Sequence, residues 1–187
     1  MDALYQGIQD AAFAKKVQLT KEEMETVLKD FSQKVNQKMM EKRKIDSQKN
    51  KTEGDAFLAA NAQKPGVKVT ASGLQYLVVE EGKGPKPKAT DVVKVDYRGT
   101  LIDGKEFDSS YARKQPATFP LNQVIPGWTE GVQLMSVGST YKFFIPATLG
   151  YGDRGAGDQI PAGATLIFEV KLISIESQPG NPAQPKK

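Results

Sequence analysis

The chain has 187 residues, of which 39% are hydrophobic, enough for one ordinary core with an extension but not for a core running its whole length. It holds no cysteine and no histidine, which excludes disulfides, thiol nucleophiles, Cys/His zinc sites and a histidine general base. The formal charge is +4, but Lys and Glu are interleaved as on a solvated surface rather than clustered as on a nucleic-acid-binding face, and no apolar run approaches the roughly 20 residues needed to cross a bilayer.

In chain order, residues 3–16 read as a first short helix with Leu4, Ile8 and Ala12 on one stripe, followed by a turn at Val17 to Leu19. The opening lacks a cap or lead-in, as expected of a chain that begins part-way through a helical region. The lack of a targeting segment therefore says nothing about compartment. Thr20-Lys-Glu-Glu23 is a capping box, so a long helix is predicted to start there. Met24, Val27, Leu28, Phe31 and Val35 recur at spacings of three and four and form an apolar stripe. From Asn36 to Glu53 the stripe dissolves into Lys, Glu, Gln and Asn, with Met39 and Ile45 its sizeable apolar members. A helix polar all round bridges two bodies through solvent, and some forty residues at about 1.5 Å each span roughly 60 Å. Such an arm, with an amphipathic pair of helices at its end, suits docking of a second chain; the plainer alternative folds Met24, Phe31 and Val35 back onto Leu4 and Ile8 as a hairpin.

Pro65-Gly66 ends this helix, and short alternating runs separated by turn residues follow. Residues 74–79, 92–100, 140–145 and 165–175 read as strands, Asp103-Gly104 as a hairpin turn, and Phe107 and residues 117–121 as shorter, broken strand segments. Val93, Val95 and Tyr97 share one strand face, as do Tyr141, Phe143 and Ile145, and Leu166, Phe168, Val170 and Leu172. Between them Val124 to Val132, Val-Ile-Pro-Gly-Trp-Thr-Glu-Gly-Val, contains the chain's only tryptophan. Pro126 and Gly127 suit the start of a short helix that points Trp128 inward. The predicted fold is α+β: an antiparallel β-sheet wrapped around a short helix, preceded by a long solvent-exposed helix and a short helical N-terminal segment. A sheet curled over one aromatic floor makes an apolar pocket. The Pro-rich tail after Glu176 can bury nothing and is predicted disordered.

Two motifs lead nowhere. Gly150-Tyr-Gly152-Asp-Arg-Gly155 fits a dinucleotide fingerprint, but Gly157, Pro161 and Gly163 forbid the helix that the fingerprint must open. Asp103, Glu106 and Asp108 sit in or beside a turn, where acids are common without being a hydrolytic pair.

Val95 to Ser110 (Val-Asp-Tyr-Arg-Gly-Thr-Leu-Ile-Asp-Gly-Lys-Glu-Phe-Asp-Ser-Ser), Val124 to Val132, Tyr151-Gly152 and Ala164 to Val170 (Ala-Thr-Leu-Ile-Phe-Glu-Val) resemble, in order and separation, the FKBP-type peptidyl-prolyl isomerase domain over about residues 73–175. The helical region is similar to the bacterial Mip-like and FkpA-like subgroup, whose members join an N-terminal dimerisation domain to the isomerase domain by a long helix. The resemblance implies a remnant of the dimerisation region at 1–19, a linker helix at 20–64, the isomerase domain at 65–176 and a tail at 177–187. It further implies a proline pocket floored by Trp128 and walled by Tyr97, Phe107, Val124, Ile125 and Phe168. Tyr151 matches a hydroxyl that bonds a ligand carbonyl, and the Ile125 N–H matches a second donor. Asp108 matches an acid at the mouth, partnered by Arg113, and Ile160 an apolar residue of the overhanging loop. Asp108, Tyr151 and Tyr97 are the implied catalytic residues.

The sequence departs from the family at Ala117, where many members carry a bulky aromatic, and in the glycine-rich loop 153–157, and both departures bear on selectivity. Taken singly, Phe107, Val124 and Phe168 read as core, Asp108 as a turn cap and Tyr151 as packing; the joint pattern argues for a site.

The implied reaction is rotation about X-Pro bonds in folding polypeptides, accompanied by chaperone activity, with no cofactor and no metal. The implied partners are proline-containing unfolded or partly folded polypeptides and macrolide inhibitors of the tacrolimus and rapamycin type, with no nucleic acid, no membrane span and a homodimer in the full-length protein. The subgroup implies the periplasm or outer membrane of a Gram-negative bacterium. The competing class is a non-catalytic chaperone module that holds unfolded segments without turning them over.

Overall fold

The computed structural model describes residue 5 and residues 20–176. The predicted short helix at 3–16, apart from Tyr5, the turn at 17–19 and the tail from 177 lie outside the described residues. The first long element is α1 (Lys21–Ala62). It begins at the predicted capping box: the Thr20 N–H donates to Glu23 Oε2 at 2.7 Å, and the Glu23 N–H donates to Thr20 Oγ1 at 3.3 Å. Contacts divide the chain into two compact units, residues 1–42 and 43–187.

In the first unit the α1 residues Met24, Val27, Leu28, Phe31 and Val35 are all exposed. Within the second unit the same helix changes character. Ser47, Gly54, Leu58 and Asn61 are buried, at spacings of seven, four and three that put them on one face. Asn61 Nδ2 donates to Gln75 Oε1 at 3.0 Å, and Gln75 Nε2 donates to the Leu58 carbonyl at 2.8 Å. The Phe57 and Phe144 rings meet at 6.0 Å. From Ser47 onward the helix is thus docked on the sheet domain rather than solvated all round. The face is made of Ser, Gly and Asn as much as of Leu, so it carries no hydrophobic periodicity for a sequence reading to find.

Seven strands follow: β1 (Val67–Val69), β2 (Gln75–Glu80), β3 (Val92–Leu101), β4 (Glu106–Ser109), β5 (Ala117–Pro120), β6 (Thr140–Ile145) and β7 (Leu166–Glu176). They form one antiparallel sheet in the order β1-β2-β6-β7-β3-β4, with β5 paired to β3. The four longer predicted strands and the segment 117–121 match to within a residue at each end, and the segment at Phe107 extends to Ser109. Sequence reasoning missed β1, three residues just past Pro65-Gly66, too short for alternation to register. Between β3 and β4, Gly104 adopts φ 87° and donates to the Leu101 carbonyl, which is why glycine serves at this turn.

The inward faces of β3, β6 and β7 meet α2 (Pro126–Leu134), with Pro126 in its first turn and Trp128 and Val132 in the core. Two glycines let α2 lie close to the sheet: a Cβ on Gly127 would come within 2.6 Å of Ile145, and one on Gly131 within 2.7 Å of Phe143.

Candidate active site

The sheet's curl brings its aromatic positions to one end of α2. Three rings stand nearly perpendicular to the indole of Trp128: Tyr97 at 5.3 Å and 89°, Phe119 at 5.6 Å and 83°, and Phe168 at 5.2 Å and 86°. Phe107 meets Phe168 edge-on at 5.4 Å. Such edge-to-face pairs add to the stability of burial and fix each ring's orientation, so the indole forms a floor with rigid walls. Over it lies a cavity of about 660 Å³. β3 supplies Tyr97, the strand after the Gly104 hairpin supplies Phe107 and Asp108, and β7 supplies Phe168. The approach to α2 supplies Val124 and Ile125, and the loop between β6 and β7 supplies Tyr151 and Ile160.

A polar network closes one side. The Tyr97 hydroxyl donates to Asp108 Oδ2 at 2.5 Å, Arg113 Nη2 donates to the Tyr97 hydroxyl at 2.7 Å, and Arg113 Nη1 donates to Asp108 Oδ1. The guanidinium carbon also lies 5.6 Å from the centre of the Tyr97 ring. Burial alone raises the Asp108 carboxyl, but the hydrogen bonds from Tyr97 and Arg113 outweigh it and hold the group below the usual carboxylate range. Burial and the bond to Asp108 push Tyr97 above the ordinary tyrosine value, and burial, aided by the Asp108 charge, does the same for Tyr151. At neutral pH the site presents one carboxylate and two protonated phenols.

Three donors on residues that line the cavity have no protein partner among the described residues. They are the Tyr151 hydroxyl, the Ile125 N–H and the buried indole Nε1–H of Trp128. Of the ten residues singled out in sequence, Tyr97, Phe107, Asp108, Val124, Ile125, Trp128, Tyr151, Ile160 and Phe168 line the cavity. Arg113 stands outside the lining and reaches it through its bonds to Asp108 and Tyr97. Sequence reasoning missed Phe119, Gln123, Ala156 and Gln159. Phe119 had a readable signal, since it lies two residues from Ala117 in β5 and so shares its strand face. Gln123 ends a three-residue 3-10 turn, and Ala156 and Gln159 sit in a loop, all too short or irregular for periodicity to mark the inward side.

Comparison with known proteins agrees with this geometry. Residues 84–173 match the family described as FKBP-type peptidyl-prolyl cis-trans isomerase, and residues 1–78 match the domain amino terminal to such isomerases. The FkpA isomerase of Aeromonas hydrophila is 53% identical over 184 residues, covering 98% of this chain and 68% of the relative. This chain belongs to the FKBP-type peptidyl-prolyl cis-trans isomerase family. Another relative of the isomerase, the outer membrane protein MIP of Legionella longbeachae, is 47% identical, covering 94% of this chain and 75% of its own. The crystal structure of FkpA from Escherichia coli superposes with a TM-score of 0.79 at 43% identity, covering 94% of this chain and 81% of that one. The chain thus spans about two thirds to four fifths of the length of these relatives. Among the described residues of the isomerase no helix is long and apolar enough to cross a membrane.

Proposed function

We propose that the isomerase turns over X-Pro bonds inside the Trp128 cavity, with each lining group in a specific role. The observation that carries this reading is three aromatic rings perpendicular to the Trp128 indole, in a cavity also lined by two residues with hydrogen-bond donors, the Tyr151 hydroxyl and the Ile125 N–H, that lack protein partners among the described residues. The proline ring lies on the indole, and Phe107, Phe119 and Phe168 enclose it. Tyr151 and the Ile125 amide hold carbonyls that flank the bond and fix the chain on either side of the rotation.

The chemistry needs neither nucleophile nor general base. The planar amide resists rotation by about 18–20 kcal/mol, and at X-Pro the two isomers are close in energy. A twisted amide has lost resonance and is less dipolar, so moving it from water into an aromatic cavity raises the planar ground state more than the twisted transition state. Asp108, ionised and bonded on both oxygens, directs a fixed field at the cavity mouth where the carbonyl swings. Tyr97 and Arg113 hold that carboxylate in place.

The finer roles of the whole protein belong to the same proposal. The exposed stripe Met24, Val27, Leu28 and Phe31 is an apolar face suited to pairing with a second copy and to holding unfolded segments. A cavity that takes a proline ring against aromatic walls suits macrolides of the tacrolimus and rapamycin type. The relative named outer membrane protein MIP supports a place at the outer membrane or in the periplasm beside it.

The test pairs two assays on one variant. Asp108→Leu is expected to lose most of its acceleration of a proline tetrapeptide while still suppressing aggregation of a refolding protein, separating the pocket from the polypeptide-holding surface. Unchanged isomerisation in that variant contradicts the assigned role of Asp108.

A further inference from the structure

The loop that overhangs the pocket is fastened from behind by α1. Ser47, only 5% exposed, donates its hydroxyl to Asp153 Oδ1 at 2.6 Å, and Lys51 Nζ lies 2.6 Å from the same oxygen. Between them, Asn50 Nδ2 donates to the Ala162 carbonyl at 2.8 Å. Two glycines make this close approach possible. A Cβ on Gly163 would overlap the Ser47 carbonyl, and one on Gly54 would overlap the Thr165 side chain.

The two fastened points bracket the lining residues Ala156, Gln159 and Ile160, and the first lies just after Tyr151. Asp153 lies two residues after Tyr151, in the short helical turn Gly152–Arg154, and Ala162 lies two residues after Ile160. The Gly163 N–H donates to the Gly152 carbonyl at 2.8 Å and closes the loop's neck, and a bridge between Ala156 and Ile160 closes its tip. Inside these closures the loop presents Ala156, Gln159 and Ile160 to the cavity, and Tyr151 lines it from the residue next to the neck. Four of its glycines, at 152, 155, 157 and 163, have positive φ, so the loop's own backbone does little to restrict its conformation.

We propose that Ser47, Asn50 and Lys51 are positioning residues of the isomerase. Through Asp153 and Ala162 they hold the 151–163 loop in the form that aims the Tyr151 hydroxyl and Ile160 at the bound proline, which makes the second half of α1 part of the pocket's frame. The proposal rests on the reading of the Trp128 cavity as the catalytic site. None of the three residues lines the cavity. Their effect comes from order: a loop already in place leaves less freedom to be lost when the substrate binds. An ion pair as exposed as Lys51 with Asp153 adds little to global stability, so the effect is expected in the kinetics.

The test compares the full chain with Ser47→Ala/Lys51→Met, with Lys51→Arg and with Trp128→Phe, reading kcat and KM for a proline tetrapeptide and Tm for each. The double variant is expected to lose about fivefold to tenfold in kcat/KM, chiefly as a higher KM, with little change in Tm. Lys51→Arg is expected to stay within about twofold of the unaltered chain. Faster amide exchange across 151–163 in the double variant is the accompanying signature. A double variant with unaltered kcat/KM overturns the proposal. A loss that tracks a falling Tm and appears equally in Lys51→Arg also overturns it. If the unaltered chain and Trp128→Phe both fail to accelerate the peptide, the catalytic reading of the cavity has failed instead, and the clamp proposal falls with it.

Discussion

Tyr97 donates its hydroxyl hydrogen to Asp108 across 2.5 Å while accepting one from Arg113 at 2.7 Å, so the single carboxylate of the cavity is charged and bonded on both oxygens. Two side chains hold the acid, and only one of them, Tyr97, lines the cavity. Replacing Asp108 by Asn should lower kcat/KM by about tenfold, the low end for a charged hydrogen-bonded group because the site is partly open to water. Tyr97→Phe should cost less, roughly threefold to fivefold, since the carboxylate keeps Arg113. The double variant should be no worse than Asp108→Asn alone if the pair acts as a unit, and rate measurements on the three variants complete the cycle. Fully additive losses would separate the two roles.

The pH profile follows from the directions of the shifts. The folded-state value of Asp108 is depressed, so the stability it contributes is present above the unfolded carboxylate value of about 3.9 and is lost as pH falls through its folded value. Tyr97 and Tyr151 are shifted upward and keep their protons beyond the ordinary tyrosine value of about 10. With no histidine in the chain, kcat/KM should be flat from about pH 5 to 9. An inflection in that range would reveal a titrating group the site does not contain.

Gly131 faces a direct conflict between local and tertiary preference. Inside a helix, alanine is ordinarily favoured over glycine by about 0.5–1 kcal/mol. Here a Cβ would press within 2.7 Å of the Phe143 ring. Gly131→Ala should therefore destabilise the domain, by about 1–3 kcal/mol in urea unfolding. A stabilised variant would mean that α2 is free to move off the sheet.

How much of this was legible in the sequence depends on which residues carry the signal. Alternation along β3, β6 and β7 exposed the sheet because each has one face in the core, and Pro126-Gly127-Trp128 marked the short helix by its own chemistry. The family motifs then pointed to the residues of the cavity lining that lie on or beside these elements. Docking of α1 stayed hidden because Ser47, Asn50, Lys51 and Asn61 bind by hydrogen bonds, and polar residues on a helix look the same whether they face water or a partner. Gln159 and Ala156 stayed hidden for a related reason, since a glycine-rich loop has no period from which an inward side can be read.

That docking has its own test. Asn61 is 1% exposed and supplies the donor for Gln75 Oε1. Asn61→Leu keeps a similar volume but leaves a buried amide oxygen unpaired, and should cost about 1–3 kcal/mol by denaturant unfolding. A neutral substitution would show that water reaches the Gln75 side chain.

The central claim is that an aromatic cavity floored by Trp128 accepts a proline ring and lowers the barrier to rotation about the bond before it. The most direct measurement is the cis-to-trans relaxation of a proline tetrapeptide at rising concentrations of the full chain. The rate should climb linearly with the chain and fall back by about tenfold or more in Asp108→Leu. A relaxation rate equal to that of the peptide alone at every concentration would contradict it.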